Sequence, residues 1–256
     1  MMETIRIDRD ARGVATLTLT RADKHNAMSA QMIAELTDAA ARLGGDDAVR
    51  VVVLAAEGRS FCAGGDLAWM QAQMAADPET RFAEARKLAL MLKALDEMPK
   101  PLIGRVQGQA FGGGLGLMSV CDIAIGATGA KFGLTETRLG LIPATIGPYV
   151  VARMGAAKAR RIFASPRLFG AEEARDLDLL ARVVPPEALD EAVEAEVAPY
   201  LDAAPGAVAA AKALVRRLGP VIDDAVIDDT IRALVDRWDT VEGRDRVAAF
   251  FASRKG

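Results

Sequence analysis

Residues 106–130 constrain this chain more than any other stretch. Over these 25 positions the only charged side chain is Asp122, and seven positions are glycine. A run so apolar is long enough for a membrane span, yet Gly112-Gly113-Gly114 makes a poor helix interior. The β-branched Ile123 and Ile125, just after Asp122, predict a new short strand. The stretch therefore reads as a buried strand over 101–106, a tight glycine loop, a short buried helix over 113–120 and another strand. Three successive glycines let the backbone approach a ligand with no Cβ in the way. A helix that starts there points its unpaired N–H groups at whatever lies above it, an anion site made of backbone.

The rest of the chain gives that site a setting. An apolar share of 51% and a charged share of 26% are an ordinary globular balance, and 256 residues lie between one domain and two. With a net charge of −3 and Lys and Arg scattered along the sequence, no basic stripe calls for nucleic acid. Met1 leads into strand-like residues 4–8 with no cationic n-region or apolar h-region, so no secretory signal is expected. Outside the glycine-rich run nothing approaches a spanning length, so no membrane is expected either. Cys62 and Cys121 sit in apolar surroundings and read as reduced, buried thiols of a cytoplasmic protein.

Residues 4–8 and 14–20 alternate apolar and polar positions across a turn, which predicts a β-hairpin. A polar loop over 21–28 follows, and then Ser29 as N-cap of a helix whose Met32, Leu36, Ala39 and Leu43 share one face. Residues 49–55 are a buried, β-branched strand. It feeds a second small-residue loop, Phe61-Cys62-Ala63-Gly64-Gly65-Asp66-Leu67, which opens into a helix. Pro78 fits the first turn of a helix to about residue 97. Two strand–glycine loop–helix units in series argue for a mostly parallel sheet covered by helices. From residue 147 onward the pattern is helical: 148–154, 156–164, 171–176, 186–201, 205–218, 221–238 and 244–253, with one strand over 180–184. The expected division is an α/β core over 1–200 and a helical region over 201–256, packed on the core or on a neighbouring chain.

Three features could carry chemistry. If the two strands feeding the loops at Gly65 and Gly113 are neighbours, two backbone N–H groups can converge on one oxygen. Glycine for tight helix-on-sheet packing is the alternative. Glu136 stands among Phe132, Leu134, Leu139, Leu141 and Ile142, where a carboxyl has its pKa raised and can act as general acid or base. Its alternative is a surface glutamate paired to Arg138. Third, the familiar nucleophile and metal patterns are absent. His25 is the only histidine, so multi-histidine metal sites are excluded, and a Ser–His pair would have to use His25 in a polar loop. No G-x-G-x-x-G fits, because Leu117 stands where its last glycine should.

Four motifs in order now carry a resemblance: Phe61-Cys62-Ala63-Gly64-Gly65-Asp66-Leu67, Ala110-Phe111-Gly112-Gly113-Gly114, Cys121-Asp122-Ile123-Ala124, and Phe132-Gly133-Leu134-Thr135-Glu136-Thr137-Arg138-Leu139-Gly140-Leu141-Ile142-Pro143. Together they resemble the crotonase superfamily of enoyl-CoA hydratases and isomerases, from the hairpin to Phe250-Phe251-Ala252-Ser253-Arg254-Lys255. The resemblance implies an α/β fold of stacked ββα turns with a helical C-terminal trimerisation region. It implies a homotrimer or dimer of trimers, an acyl-CoA thioester as ligand, and no cofactor beyond the coenzyme A moiety of that substrate. Carried over by residue, Gly65 and Gly113 match the two N–H groups that hold the thioester oxygen, and Glu136 matches the second of the hydratase glutamates. Ala63, Asp66 and Leu67 match a loop around the adenine end, and Lys24 and Ala27 a segment lining the same ligand. Gly112, Gly116, Thr135 and Pro143 match further ligand-contacting positions. At the first glutamate's place stands Gly116, whose space is expected to take substrate or water. Ala144-Thr145-Ile146-Gly147-Pro148 also departs from the family's glycine-rich run. Both departures are similar to a subgroup assigned to branched or glutaconyl-type acyl-CoA hydration, as in leucine breakdown. Enoyl-CoA hydratase is the leading expectation; single-glutamate isomerase and a non-catalytic CoA-binding paralogue are the alternatives.

Overall fold

The computed structural model describes residues 2–253; the family-like Arg254 and Lys255 at the end lie outside them. The expected hairpin forms from β1 (Ile5–Arg9) and β2 (Val14–Leu19), antiparallel with Ile5 opposite Leu19. The Asp10 carboxylate accepts the N–H groups of Arg12 and Val14 and so fixes its turn. α1 (Ala30–Gly45) is capped as its sequence predicts, by Ser29 Oγ accepting the Met32 N–H, and buries Met32, Leu36, Ala39 and Leu43. Then come β3 (Val51–Ala56), β4 (Ser60–Cys62), α2 (Leu67–Ala75), α3 (Pro78–Glu97), β5 (Leu102–Val106), β6 (Gln109–Phe111), α4 (Gly113–Ser119), β7 (Ile123–Ala127) and β8 (Lys131–Gly133). After a 3-10 turn at Glu136–Leu139 the chain runs through α5 (Gly147–Phe163), β9 (Phe169–Gly170), α6 (Ala171–Asp176), β10 (Arg182–Val184) and α7 (Leu189–Asp202). It ends in α8 (Pro205–Leu218), α9 (Asp224–Asp239) and α10 (Val241–Ala252).

The strands form two sheets. Long strands make a six-stranded sheet in the order β1-β2-β3-β5-β7-β10, parallel except for the hairpin. Short strands make a second sheet, β4-β6-β8-β9. Each unit thus places one long and one short strand before its helix, the stacked ββα pattern. β3 shows why the long strands read as unbroken apolar runs: all six of its residues are buried. With the period of two, Val52 and Leu54 enter the main core, while Val51 and Val53 join Ile103 and Ile125 against Leu189 and Val193 of α7.

The glycine-rich run at 106–130 is the end of β5, then β6, α4 and β7. No helix among the described residues is long and apolar enough to cross a membrane. The second sheet is absent from the sequence reading, since strands of two or three residues show no period. The helix expected from 221 begins only at Asp224, because the Asp223 side chain accepts the Val226 N–H. That expected from 244 begins at Val241, where Thr240 Oγ1 accepts from Gly243. α5 keeps the expected break, at Gly155 with φ +73° and ψ 152°. α9 packs Ile227 and Ile231 on Ala85 and Ala89 of α3, and α10 brings Val247 and Phe251 to Leu141 and Trp238. α8 buries no residue at all.

Candidate active site

The strands feeding the two glycine loops are neighbours: β3 pairs with β5, and β4 with β6, both in parallel. Parallel pairing delivers both loops to the same end of the sheets. They touch there, since a Cβ on Gly64 would lie 3.7 Å from the Gly113 nitrogen. A parallel bridge joins Met28 to Gly65. Its hydrogen bonds run from Met28 N–H to Gly64 O (2.8 Å) and from Asp66 N–H to Met28 O (3.0 Å). Both use the flanking peptide groups, so the Gly65 N–H itself faces the other way. In the second loop Gly112 N–H reaches Gly133 O at 3.1 Å, and Gly113 begins α4 as one of its unsatisfied donors. Among the described residues no backbone carbonyl accepts the N–H of Gly65 or of Gly113.

Those two peptides share one cavity of about 130 Å³ with Glu136. Glu136 opens the 3-10 turn after β8, and Leu141 N–H bonding back to Glu136 O (3.1 Å) helps close that turn. Its Oε2 is shut off from solvent and has no hydrogen-bond partner. No ion pair to Arg138 forms, and Arg138 is exposed. Burial pushes the Glu136 carboxyl up to about 7, its own backbone N–H pulling only weakly the other way. It is the only carboxylate among the described residues lining the cavity; the walls around it are Leu139, Leu141, Ile142, Ile146 and Trp238. Gly112 makes the approach possible. Its φ of +47° with ψ −116° suits glycine alone, and a Cβ there would lie 2.9 Å from Glu136 Oε1. Two free backbone donors beside one carboxyl able to gain or lose a proton near neutrality can stabilise an oxyanion and move a proton.

The sequence pattern described as Enoyl-CoA hydratase/isomerase matches residues 9–234. The chain belongs to the enoyl-CoA hydratase/isomerase family. An enoyl-CoA hydratase structure from Shewanella pealeana superposes with a TM-score of 0.82 at 36% identity, covering 98% of this chain and 94% of that one. An enoyl-CoA hydratase structure from Mycobacterium smegmatis gives 0.81 at 34% identity, covering 98% and 97%. Enoyl-CoA hydratase ACTT6 of Alternaria alternata is 32% identical over 210 residues, 80% of this chain and 67% of that protein.

The remaining positions singled out in this enoyl-CoA hydratase/isomerase family member fall into three groups. Pro143 lines the cavity, and half-buried Thr135 directly precedes Glu136. Lys24, Ala27, Ala63, Asp66 and Leu67 lie outside the cavity lining, on two segments stitched side by side. Ala63 N–H donates to His25 O (3.0 Å), and Arg21 Nη2 to Asp66 Oδ2 (2.9 Å). Lys24 and Leu67 are exposed at this edge. Asp66 is not free to meet a ligand: it caps α2 through the Ala68 and Trp69 N–H groups and pairs with Arg21. Burial opposes its ionisation, but Arg21 and those N–H groups prevail and hold its carboxyl below the usual range. Gly116 is the correction. It does not line the cavity, and a Cβ there would lie 2.7 Å from Ile146 Cγ2 and 3.2 Å from Leu92 Cδ1. The open space expected beside Gly116 is filled by Ile146, which itself faces the cavity.

Several cavity residues of the family fold were not legible in the sequence. Trp69 and Gln73 come from α2, Arg81 from α3, and Leu234, Val235 and Trp238 from α9. The i, i+4 spacing of Trp69 and Gln73 behind a glycine loop was the one available signal. His25 does pair with a serine, its Nδ1 lying 2.9 Å from Ser60 Oγ. Ser60 is only 1% exposed, Gln109 Nε2 also donates to its Oγ, and neither residue lines the cavity. Ser60 thus ties the loop at His25 to β4 and, through Gln109, β4 to β6.

Proposed function

We propose that this protein is an enoyl-CoA hydratase that adds water across the α,β double bond of an acyl-CoA thioester with Glu136 as its single proton carrier. The reading rests on one observation: an unpartnered Glu136 Oε2, its carboxyl held near neutrality, in the cavity of the free Gly65 and Gly113 N–H groups. The ionised carboxylate removes a proton from water as the water oxygen bonds to the β-carbon. The π electrons move onto the thioester carbonyl, and the two N–H groups hold the resulting oxyanion, each worth on the order of 10²–10³ in rate. Glu136, now protonated, returns that proton to the α-carbon and the carbonyl re-forms. A pKa near the working pH suits a group that must first accept and then donate. The names of the similar hydratases support this direction of chemistry.

The coenzyme A moiety is assigned to the edge formed by Lys24, Ala27, Ala63 and Leu67. A second copy of this chain is assigned to the unburied face of α8, as in a homotrimer, because Leu214, Val215 and Leu218 are exposed there. Double-bond isomerisation is the second reading, favoured by the absence of another carboxylate from the cavity lining: one group can take a proton from the α-carbon of a 3-enoyl thioester and return it at the γ-carbon. A purely binding role fits poorly, because an unpartnered buried carboxyl is destabilising and nothing in such a role would retain it. The test is turnover of crotonyl-, 3-methylglutaconyl- and 3-enoyl-CoA, followed by thioester absorbance and product mass. A gain of one water is expected; an isomer of unchanged mass would favour the second reading, and no turnover of any substrate would overturn both.

A further inference from the structure

The far end of the acyl cavity is polar in a way that the chemistry at Glu136 does not need. α2 starts beside Gly65 and carries Trp69 and Gln73 four residues apart, on one helix face. Gln73 stands six residues beyond the start of α2, about 9 Å along its axis. The Trp69 ring turns its Cε3–Cζ3 edge to Gly65, where a Cβ would meet those atoms at 3.6 and 3.7 Å. The opposite edge, bearing Nε1–H, is thus directed away from the thioester end. That Nε1 is buried and has no partner. Gln73 is only 6% exposed and lines the cavity, and its amide makes no hydrogen bond among the described residues, though unlike Trp69 Nε1 it is not shut off from solvent. Behind it lies Arg81, 12% exposed at its side chain. Its Nε donates to Gln73 O (2.9 Å), Nη2 to Ala76 O (2.7 Å) and Nη1 to Asp239 Oδ1 (2.6 Å). A guanidinium has five N–H groups, so two remain beyond these three bonds.

A hydrocarbon tail would leave these donors enclosed and unpaired, whereas an oxygen acceptor would satisfy them. We infer that the preferred acyl group carries a hydrogen-bond-accepting oxygen, a carbonyl or carboxylate, at the end remote from the thioester, held by Trp69 Nε1–H and the Gln73 amide. This deepens the acyl-CoA reading above and rests on it. The oxygen sits in a cavity otherwise walled mainly by aliphatic and aromatic groups, where an unmatched polar group discriminates strongly between ligands.

The test is binding of three six-carbon saturated thioesters to the full-length protein by calorimetry: hexanoyl-, 5-oxohexanoyl- and hexanedioyl-CoA. At least one oxygen-bearing tail should bind about tenfold tighter than hexanoyl, the worth of one net hydrogen bond. Trp69→Phe and Gln73→Leu should each lower that ratio about threefold or more, and the double variant should bring it near unity. Because a ratio is read, a general loss of affinity or folded fraction cancels. A preference for hexanedioyl over 5-oxohexanoyl assigns the extra contact to the free N–H groups of Arg81, and the reverse confines it to Trp69 and Gln73; both support the inference. Hexanoyl-CoA binding as tightly as both others, or a preference unchanged in the double variant, overturns it. Saturated thioesters cannot be hydrated, so this result is independent of turnover. Failure to hydrate the matching 2-enoyl thioesters would sink the hydratase reading alone.

Discussion

Glu136→Gln should make the protein more stable as well as inactive, and the gain should depend on pH. Raising a carboxyl from 4.5 to about 7 corresponds, at about 1.36 kcal/mol per pH unit, to roughly 3 kcal/mol against its ionised form. The sign follows from where the protons sit. Below about pH 4.5 the group is protonated in folded and unfolded chains alike, so no penalty exists. Between about 4.5 and 7 the unfolded chain loses the proton while the folded one keeps it, so stability falls as pH rises. Above about 7 the full penalty applies. Glutamine keeps the shape and cannot ionise, so the variant should match wild type near pH 4.5 and exceed it by up to roughly 3 kcal/mol near pH 8.5. The assay is urea unfolding of both proteins at matched concentration across that range, with kcat measured alongside. Wild-type activity should rise through about pH 7 as the base ionises, and the variant should lose kcat while keeping acyl-CoA affinity. A stability difference that stays flat with pH would show that the carboxyl is not enclosed without a partner, and residual activity within a few-fold of wild type would remove it from the chemistry.

Gly116→Ala should cost about 1–3 kcal/mol by overpacking against Ile146, and Ile146→Ala in the same chain should recover part of it in a double-mutant cycle of unfolding energies. Asp66→Ala should destabilise by about 1–3 kcal/mol through loss of the α2 cap and of the partner of Arg21. Its carboxyl is depressed in the fold, so that contribution is present above its ordinary value of 3.8 and lost as pH falls through the folded value; unfolding midpoints at neutral and acid pH check the trend. Val215→Asp with Leu218→Asp should lower the association state in sedimentation velocity at micromolar protein, since both side chains are largely exposed on α8; an unchanged assembly would place the subunit contact elsewhere.

The parts of the site made of backbone were the legible ones. Gly65 and Gly113 follow buried strands in the sequence, and strands of that kind pair in parallel, so their loops meet at one end. Glu136 could be singled out because its apolar neighbours are close in the chain. Gly116 misled, since a small residue reads equally as open space or as room for a neighbour, and Ile146, the neighbour that fills it, comes 30 residues later. The wall from α9 could not be foreseen. Leu234, Val235 and Trp238 look like any helical stripe, and only packing of Ile227 and Ile231 on α3 turns that stripe over the cavity. Trp69 and Gln73 carry no signal in the sequence beyond their spacing, because a tryptophan and a glutamine one helical turn apart are unremarkable until the fold leaves their polar side chains without protein partners.

The order of the main sheet bears on how the site comes into being during synthesis. Its strands are laid down as the chain delivers them, β1, β2, β3, β5, β7 and β10, so each long strand emerging from a ribosome can pair at once with its predecessor. One open edge travels along with the growing sheet until β10 occupies it. The two glycine loops and Glu136 are therefore in place well before α9, whose Leu234, Val235 and Trp238 finish the cavity. Until that helix arrives, one wall of the cavity around the carboxyl is open to water. The last helices complete the enclosure whose burial raises the carboxyl's proton affinity, so a nascent or prematurely ended polypeptide carries the site's parts in a cavity still short of one wall.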